Sequence, residues 1–293
     1  MIKNPSYRRF VNRVVTLRSS IILHFEHSWH GINYSQNEPD IIRDYLHSPQ
    51  HGISYLNSNL GSLFTPFGYE LKFGGIFIHQ RPQITRVYAR THRQCELGDL
   101  LVIFSFLNEA KDPRLNRAFL VQAKKQMPFN NICQMELYDK DLEFDWPATI
   151  YSGSRCTTSP RRILPKTNYC RKNALKYLLC QPHQTEVYLP PAAHLYSRSW
   201  GDTLFGLLCS ADGLRFSKIP PVGKNKWGAI VWDLIDAVSI APIGTTGISR
   251  GRSLGHLLSF FNDYSKQEKY FYEIDGSEGI PIMLIIARST EEN

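Results

Sequence analysis

Long hydrophobic runs are missing from this sequence. None approaches the roughly 20 apolar residues that a membrane-spanning helix needs, so no membrane span is expected. The basic N-terminal stretch carrying Lys3, Arg8, Arg9, Arg13 and Arg18 leads into Ile21-Ile22-Leu23, which is too short for a secretory signal and lacks a small-residue cleavage site. A cytoplasmic protein is the expectation. Paired cysteine motifs are missing too. Cys95, Cys133, Cys156, Cys170, Cys180 and Cys209 form no C-x-x-C, and no histidine pair has zinc-finger spacing. Structural zinc is therefore not expected, and reduced thiols are.

Several catalytic signatures are absent. The Gly-rich stretch from Gly244 to Arg252 has no Gly-Lys-Ser/Thr, which argues against a nucleotide-hydrolysing P-loop. His24, His27 and His30 follow one another at i,i+3, but without H-E-x-x-H, and packing or surface roles are expected of them. No G-x-S-x-G elbow occurs, which argues against an α/β-type serine hydrolase. There is no internal repeat and no charged tail.

What is present is a chain of 293 residues with 42% hydrophobic content, enough for one large domain or two smaller ones. Its formal net charge of +8 favours polyanionic partners, nucleic acid first. The excess is spread along the chain, so a basic footprint has to be assembled by folding.

Helical periodicity predicts a helix over residues 6–29, with Phe10, Val14, Leu17 and Ile21 on one face and a stop at Gly31. A second is predicted over 39–46, capped near Asn37 or Glu38. Residues 51–66, rich in Gly, Ser and Asn, read as loop. Residues 69–73 alternate, and 75–80 form a strand candidate ending in His79-Gln80 before Pro82. The apolar runs 100–106 and 118–121 flank a polar connection and read as a β-hairpin. Further helices are expected over 135–142, 170–179 and 254–264. Residues 232–240 read as helix or buried strand, and 280–287 as a buried terminal strand. The Ser/Thr/Pro/Arg-rich stretch 152–166 is the best linker candidate, separating a domain over 1–151 from another over 167–293.

The hairpin carries the chemistry. With a turn centred near Lys111-Asp112, facing positions sum to 223, which sets Asp99 opposite Lys124. Gln122 and Lys124, two apart, share a face. A carboxylate, an amide oxygen and an ammonium then converge at the end of the hairpin far from its turn. A carboxylate suits Mg²⁺, a hard cation that takes oxygen ligands, and a nearby lysine suits charge developing on a phosphoryl group.

Gly98-Asp99 and Gln122-Ala123-Lys124 resemble the PD-(D/E)XK nuclease superfamily. The Gln is similar to the Mrr-type variant, in which it replaces the acidic residue. The resemblance covers roughly residues 5–150, where helix, hairpin and helix follow in the core order of that superfamily. It implies an α/β fold there, a restriction-endonuclease-like mixed sheet flanked by helices; the C-terminal half is not covered by it and is expected to form a smaller α+β domain. It also implies a Mg²⁺- or Mn²⁺-dependent endonuclease acting on DNA, RNA being second, of the kind found in bacterial restriction or anti-phage defence. Asp99 and Gln122 would hold metal, Lys124 would position water or stabilise charge, and Glu96 or Glu26 would supply the second acid that a neutral Gln lacks. Arg250 and Arg252, and Lys224 and Lys226, are candidate phosphate contacts, with Arg161 and Arg162 read in the same way. The alternatives are a non-catalytic nucleic-acid-binding module and a subunit whose residues 167–293 dock a partner protein; a homo-oligomer is compatible with each.

Overall fold

Asn4 opens the described chain as a helix cap, its side chain accepting from the Tyr7 amide at 3.0 Å. The computed structural model describes residues 4–89, 93–108, 110, 112–129, 131–140, 142–182, 184–190, 196–240 and 271–290. Four helices come first: α1 (Pro5–Thr16), α2 (Arg18–His27), α3 (Glu38–His47) and α4 (Gly52–Asn59). Strands β1 (Tyr69–Gln80), β2 (Gln83–Arg86), β3 (Gln94–Glu96), β4 (Leu100–Leu107) and β5 (Pro113–Lys124) follow. Next are α5 (Ile132–Asp139), β6 (Glu143–Asp145), α6 (Ala148–Tyr151), β7 (Arg161–Ile163), α7 (Asn168–Ala174), β8 (Leu175–Gln181) and β9 (Gln184–Tyr188). The described chain ends with β10 (Ser197–Ser199), α8 (Trp200–Leu208), β11 (Leu214–Arg215), α9 (Trp227–Ile240), β12 (Phe271–Glu278) and β13 (Ile282–Ser289).

The large mixed sheet runs β10-β9-β8-β5-β4-β13-β1-β12, with β11 paired to β5. Every residue of β4 is buried, the pattern of a strand covered on both faces. One face, with Val102, Phe104, Phe119, Val121, Met283 and Ile285, packs under α1–α4 and α8. The other, with Leu101, Ile103, Leu120, Tyr177, Ile282 and Leu284, packs under α5, α9 and a small sheet ordered β3-β2-β6-β7. The result is a mixed α/β fold with helices on both faces of the main sheet. No helix among the described residues is long and apolar enough to cross a membrane, and all six cysteines are free thiols.

Four expectations are revised. The helix expected over 6–29 is two helices, parted at Leu17 (φ −94°, ψ 14°), where the Thr16 hydroxyl bonds the Asn12 carbonyl. The stretch 51–66 contains α4, because Ile53, Leu56 and Leu60 are buried. Residues 170–179 divide into α7 and β8, since the apolar run from Leu175 pairs in parallel with β5. Residues 152–166 contain β7, and Arg162 in it is wholly buried against Asp233 on α9. Strands from both sides of that stretch share the main sheet: β13 lies between β4 and β1. The helix expected over 254–264 lies outside the described residues.

Candidate active site at the end of the central hairpin

Strands β4 and β5 pair as the apolar runs require, but in a register summing to 221: Leu100 faces Val121 and Ile103 faces Ala118. The expected sum was 223. The turn closes earlier because the Asn108 side chain accepts from the Asp112 amide at 2.7 Å, while the Asn108 amide donates to the Asp112 carbonyl. A shift of two preserves which face each side chain points to, so the grouping survives with new neighbours. Asp99 is level with Gln122 and Ala123, and Lys124 is the next residue outward.

Backbone bonds fix the aspartate. Its amide donates to the Val121 carbonyl at 2.7 Å, and its Oδ2 accepts from the Ala123 amide at 2.8 Å. Gly98 permits this approach: a Cβ there would lie 3.1 Å from the Val121 carbonyl oxygen and 3.2 Å from the Tyr138 hydroxyl. On the open side, Asp99 Oδ1 takes the Arg81 guanidinium at 3.1 Å.

Gln122 is fully buried, and neither its Oε1 nor its Nε2 has a hydrogen-bond partner among the described residues. It is paired with Tyr177 of β8, whose ring lies against those of Tyr138 and Phe129. Lys124, half-buried at the strand end, acts through its charge on both Asp99 and Glu96.

The electrostatics are those of crowded acids. Burial pushes the Asp99 carboxyl above its ordinary range, against the pull of Arg81, Lys124 and the Ala123 amide. Burial also raises Glu96, and the Asp99 charge adds to it. Glu38, in the first turn of α3, raises both.

Two site residues were missed by sequence reasoning. Arg81 carried only the faint signal of a cation between a strand and Pro82. Glu38 was noticed as a cap neighbour; Asn37 performs the capping, accepting from the Asp40 amide, which leaves Glu38 for the site. Glu26, expected as a helical acid for this cluster, is committed elsewhere: its Oε1 accepts from the Gly201 amide at 2.6 Å, at the start of α8. Glu96 does join Asp99, with Arg81 between them at 4.0 and 3.1 Å.

Lys224 and Lys226 are exposed just ahead of α9. Arg250 and Arg252 lie outside the described residues. Arg161, read as a phosphate contact, pairs with Asp145, and Arg162 is buried. His24 bonds the Tyr55 hydroxyl, and the rings of His27 and His30 are 4.2 Å apart. Among the described residues no three His, Cys, Asp or Glu side chains are gathered closely enough to hold a metal ion by themselves. A site here would need the Gln122 carbonyl as well.

No family model, no curated protein and no solved structure matches the chain.

Proposed function

We propose that the hairpin end carrying Asp99, Gln122 and Lys124 is the active site of a metal-dependent endonuclease of the PD-(D/E)XK type, cleaving DNA phosphodiester bonds. One observation carries the reading: a fully buried glutamine with both polar atoms unpartnered among the described residues, level with a buried aspartate. Evolution rarely leaves such a group unless something else bonds it. The order of N-terminal helices, antiparallel hairpin, helix and parallel strand supports the restriction-endonuclease-like assignment of the fold.

The donors fit a hard divalent ion. Asp99 keeps a further lone pair on each carboxylate oxygen, the Gln122 Oε1 has no partner among the described residues, and Glu96 is the adjacent acid. These residues would hold Mg²⁺ or Mn²⁺, which supplies Lewis-acid polarisation of a phosphoryl oxygen and a more acidic bound water. Lys124 neutralises charge building on the phosphoryl group, and the buried strand ends hold water out and keep these side chains fixed. The net positive charge gathers the polyanion. Membership of a restriction or anti-phage defence system is part of the same proposal.

A second reading has its own observation. Arg81 gives Asp99 a buried counter-charge, and a permanent pair of that kind would leave a nucleic-acid-binding module with no catalysis. Incubation of plasmid DNA with the protein and Mg²⁺ or Mn²⁺ separates the two. The endonuclease nicks or linearises it, and Lys124→Ala slows the reaction by about 10²- to 10³-fold with DNA affinity nearly unchanged. Equal rates for wild type and Lys124→Ala at saturating DNA and metal would remove this site from the reaction.

A further inference from the structure

A cavity of about 500 Å³ opens between α2, the segment 30–34 and the start of β9, within the usual size range of small-molecule sites. Its walls include Trp29, Ile32, Tyr34 and Pro182, and its polar groups include Glu26 and Thr185. Trp29 is 3% exposed and stacked on Tyr45 at 4.2 Å, so its place is fixed by the core. Its indole Nε1–H is buried with no acceptor among the described residues. Glu26 has one oxygen held by the Gly201 amide, which anchors the carboxylate and leaves its other oxygen to accept. The cavity thus offers apolar and aromatic lining and one fixed acceptor.

A second cavity, of about 710 Å³, shares Ile32, Tyr34 and Pro182 with the first and continues to Lys125, Cys180 and Gln181. Lys125 is the residue after Lys124, and its ammonium is tied to the Gln36 carbonyl at 2.7 Å. Cys180 lies within the electrostatic reach of Asp99 and Glu38. The two cavities thus adjoin on the face of the sheet covered by α1–α4 and α8.

We infer that this cavity takes an unpaired nucleobase of a bound strand, stacked on its aromatic lining, with an exocyclic amine donating to Glu26. The substrate is then single-stranded DNA, or duplex from which one base has been extruded. Adenine, cytosine and guanine each carry an exocyclic amine that can donate to Glu26; an abasic sugar carries none. Base stacking on aromatic side chains is a sequence-tolerant source of affinity, and extrusion of a base gives a protein access to it. The inference rests on the endonuclease reading for the identity of the polymer.

The test is fluorescence anisotropy in chelator, where nothing is cut. The probes are a labelled oligo(dA) of about twelve nucleotides, an abasic strand of equal length and charge, and a blunt duplex. Oligo(dA) should bind about tenfold more tightly than the abasic strand. Glu26→Gln, which keeps the acceptor for Gly201 but replaces the free oxygen by an amide nitrogen, should lose most of that preference. Tyr34→Ala should do the same. Equal binding of oligo(dA) and abasic strands by wild type overturns the inference, as does a full preference in both cavity variants. Plasmid cutting with equal binding would leave the endonuclease standing and the cavity wrong; base-dependent binding with no cutting would do the reverse.

Discussion

A buried amide without a partner weakens the fold that contains it, and Gln122 has none among the described residues. Leaving a buried polar group unsatisfied costs about 1–3 kcal/mol. Gln122→Met keeps the length of the side chain and removes both orphaned atoms, so it should raise metal-free stability by about that amount while abolishing cleavage. Urea unfolding beside the plasmid assay checks both halves; a destabilised variant would mean that the amide is bonded after all. The acids at this site give a second prediction. Folding raises the Asp99 and Glu96 carboxyls above their ordinary values of 3.8 and 4.5, burial being the main cause. The folded chain thus keeps protons that the unfolded chain has released. Stability therefore falls as pH rises from those ordinary values through the raised ones, then levels off. Asp99→Asn should flatten that fall in chelator. Asp212 works in the opposite sense, Lys176 and Arg198 outweighing its burial and holding it low, so the readout is the difference between wild type and variant. A divalent ion favours ionised ligands, and its stabilisation should grow as pH rises through the raised carboxyl range in wild type and little in Asp99→Asn. Melting curves across that range decide it, and an identical metal response in the two proteins would strike Asp99 from the ligands.

At the level of elements, legibility followed from how much each depended on its own residues. The α3 helix has its cap, its first-turn acids and its apolar spacing within ten residues, and the expected span 39–46 is nearly its observed one. The hairpin was legible as a pair of strands but not in register, because Asn108 closes the turn through a side-chain bond that composition does not announce. Its parity was legible, and parity is what brings Gln122 and Lys124 to the face of Asp99. In α4, three buried residues sit among Gly, Ser and Asn, and Gly52 holds φ +58° with the Tyr45 carbonyl where a Cβ would be. Those residue types read as loop although the glycine serves close packing. The stretch 152–166 misled in the same way: its arginines look solvated until Asp233, far along the chain, is placed beside Arg162. That pair makes a prediction. Both side chains are fully buried, and Asp233 also accepts from the Trp146 indole at 2.9 Å. Arg162→Met should cost about 3–5 kcal/mol by leaving a buried carboxylate without its cation, and Asp233→Leu added to it should restore much of the loss. Urea titrations of the single and double variants measure this; a cost below about 1 kcal/mol would be the behaviour of an exposed linker arginine.

For the whole molecule, the question is what completes the sheet that carries the site. Strand β13 pairs in parallel with β4 from Leu101↔Ile282 to Leu107↔Arg288, and antiparallel with β1 from Tyr69↔Ser289 to Ile76↔Ile282. The Leu101 amide, two residues from Asp99, donates to the Pro281 carbonyl at 2.8 Å. Such a pairing joins residues far apart in sequence, so the apolar run near the C-terminus was readable as a buried strand but not its place between two earlier strands. The consequence reverses the expectation of a self-sufficient N-terminal unit. Without β13, the facing edges of β4 and β1 lose their backbone partners, and the cores on both faces lose Ile282, Met283, Leu284 and Ile285. Unpaired buried backbone groups and exposed apolar strands are penalised together. A chain ending at Ile240 should therefore show no cooperative thermal transition, bind hydrophobic dyes and cut no DNA. Leu284→Pro in the full chain should act in the same direction, since proline removes a ladder bond from a strand paired on both sides. Circular dichroism melts and the plasmid assay give the answer. If the shortened chain melts cooperatively and still cuts, the site folds on the N-terminal elements alone and β13 is dispensable to it.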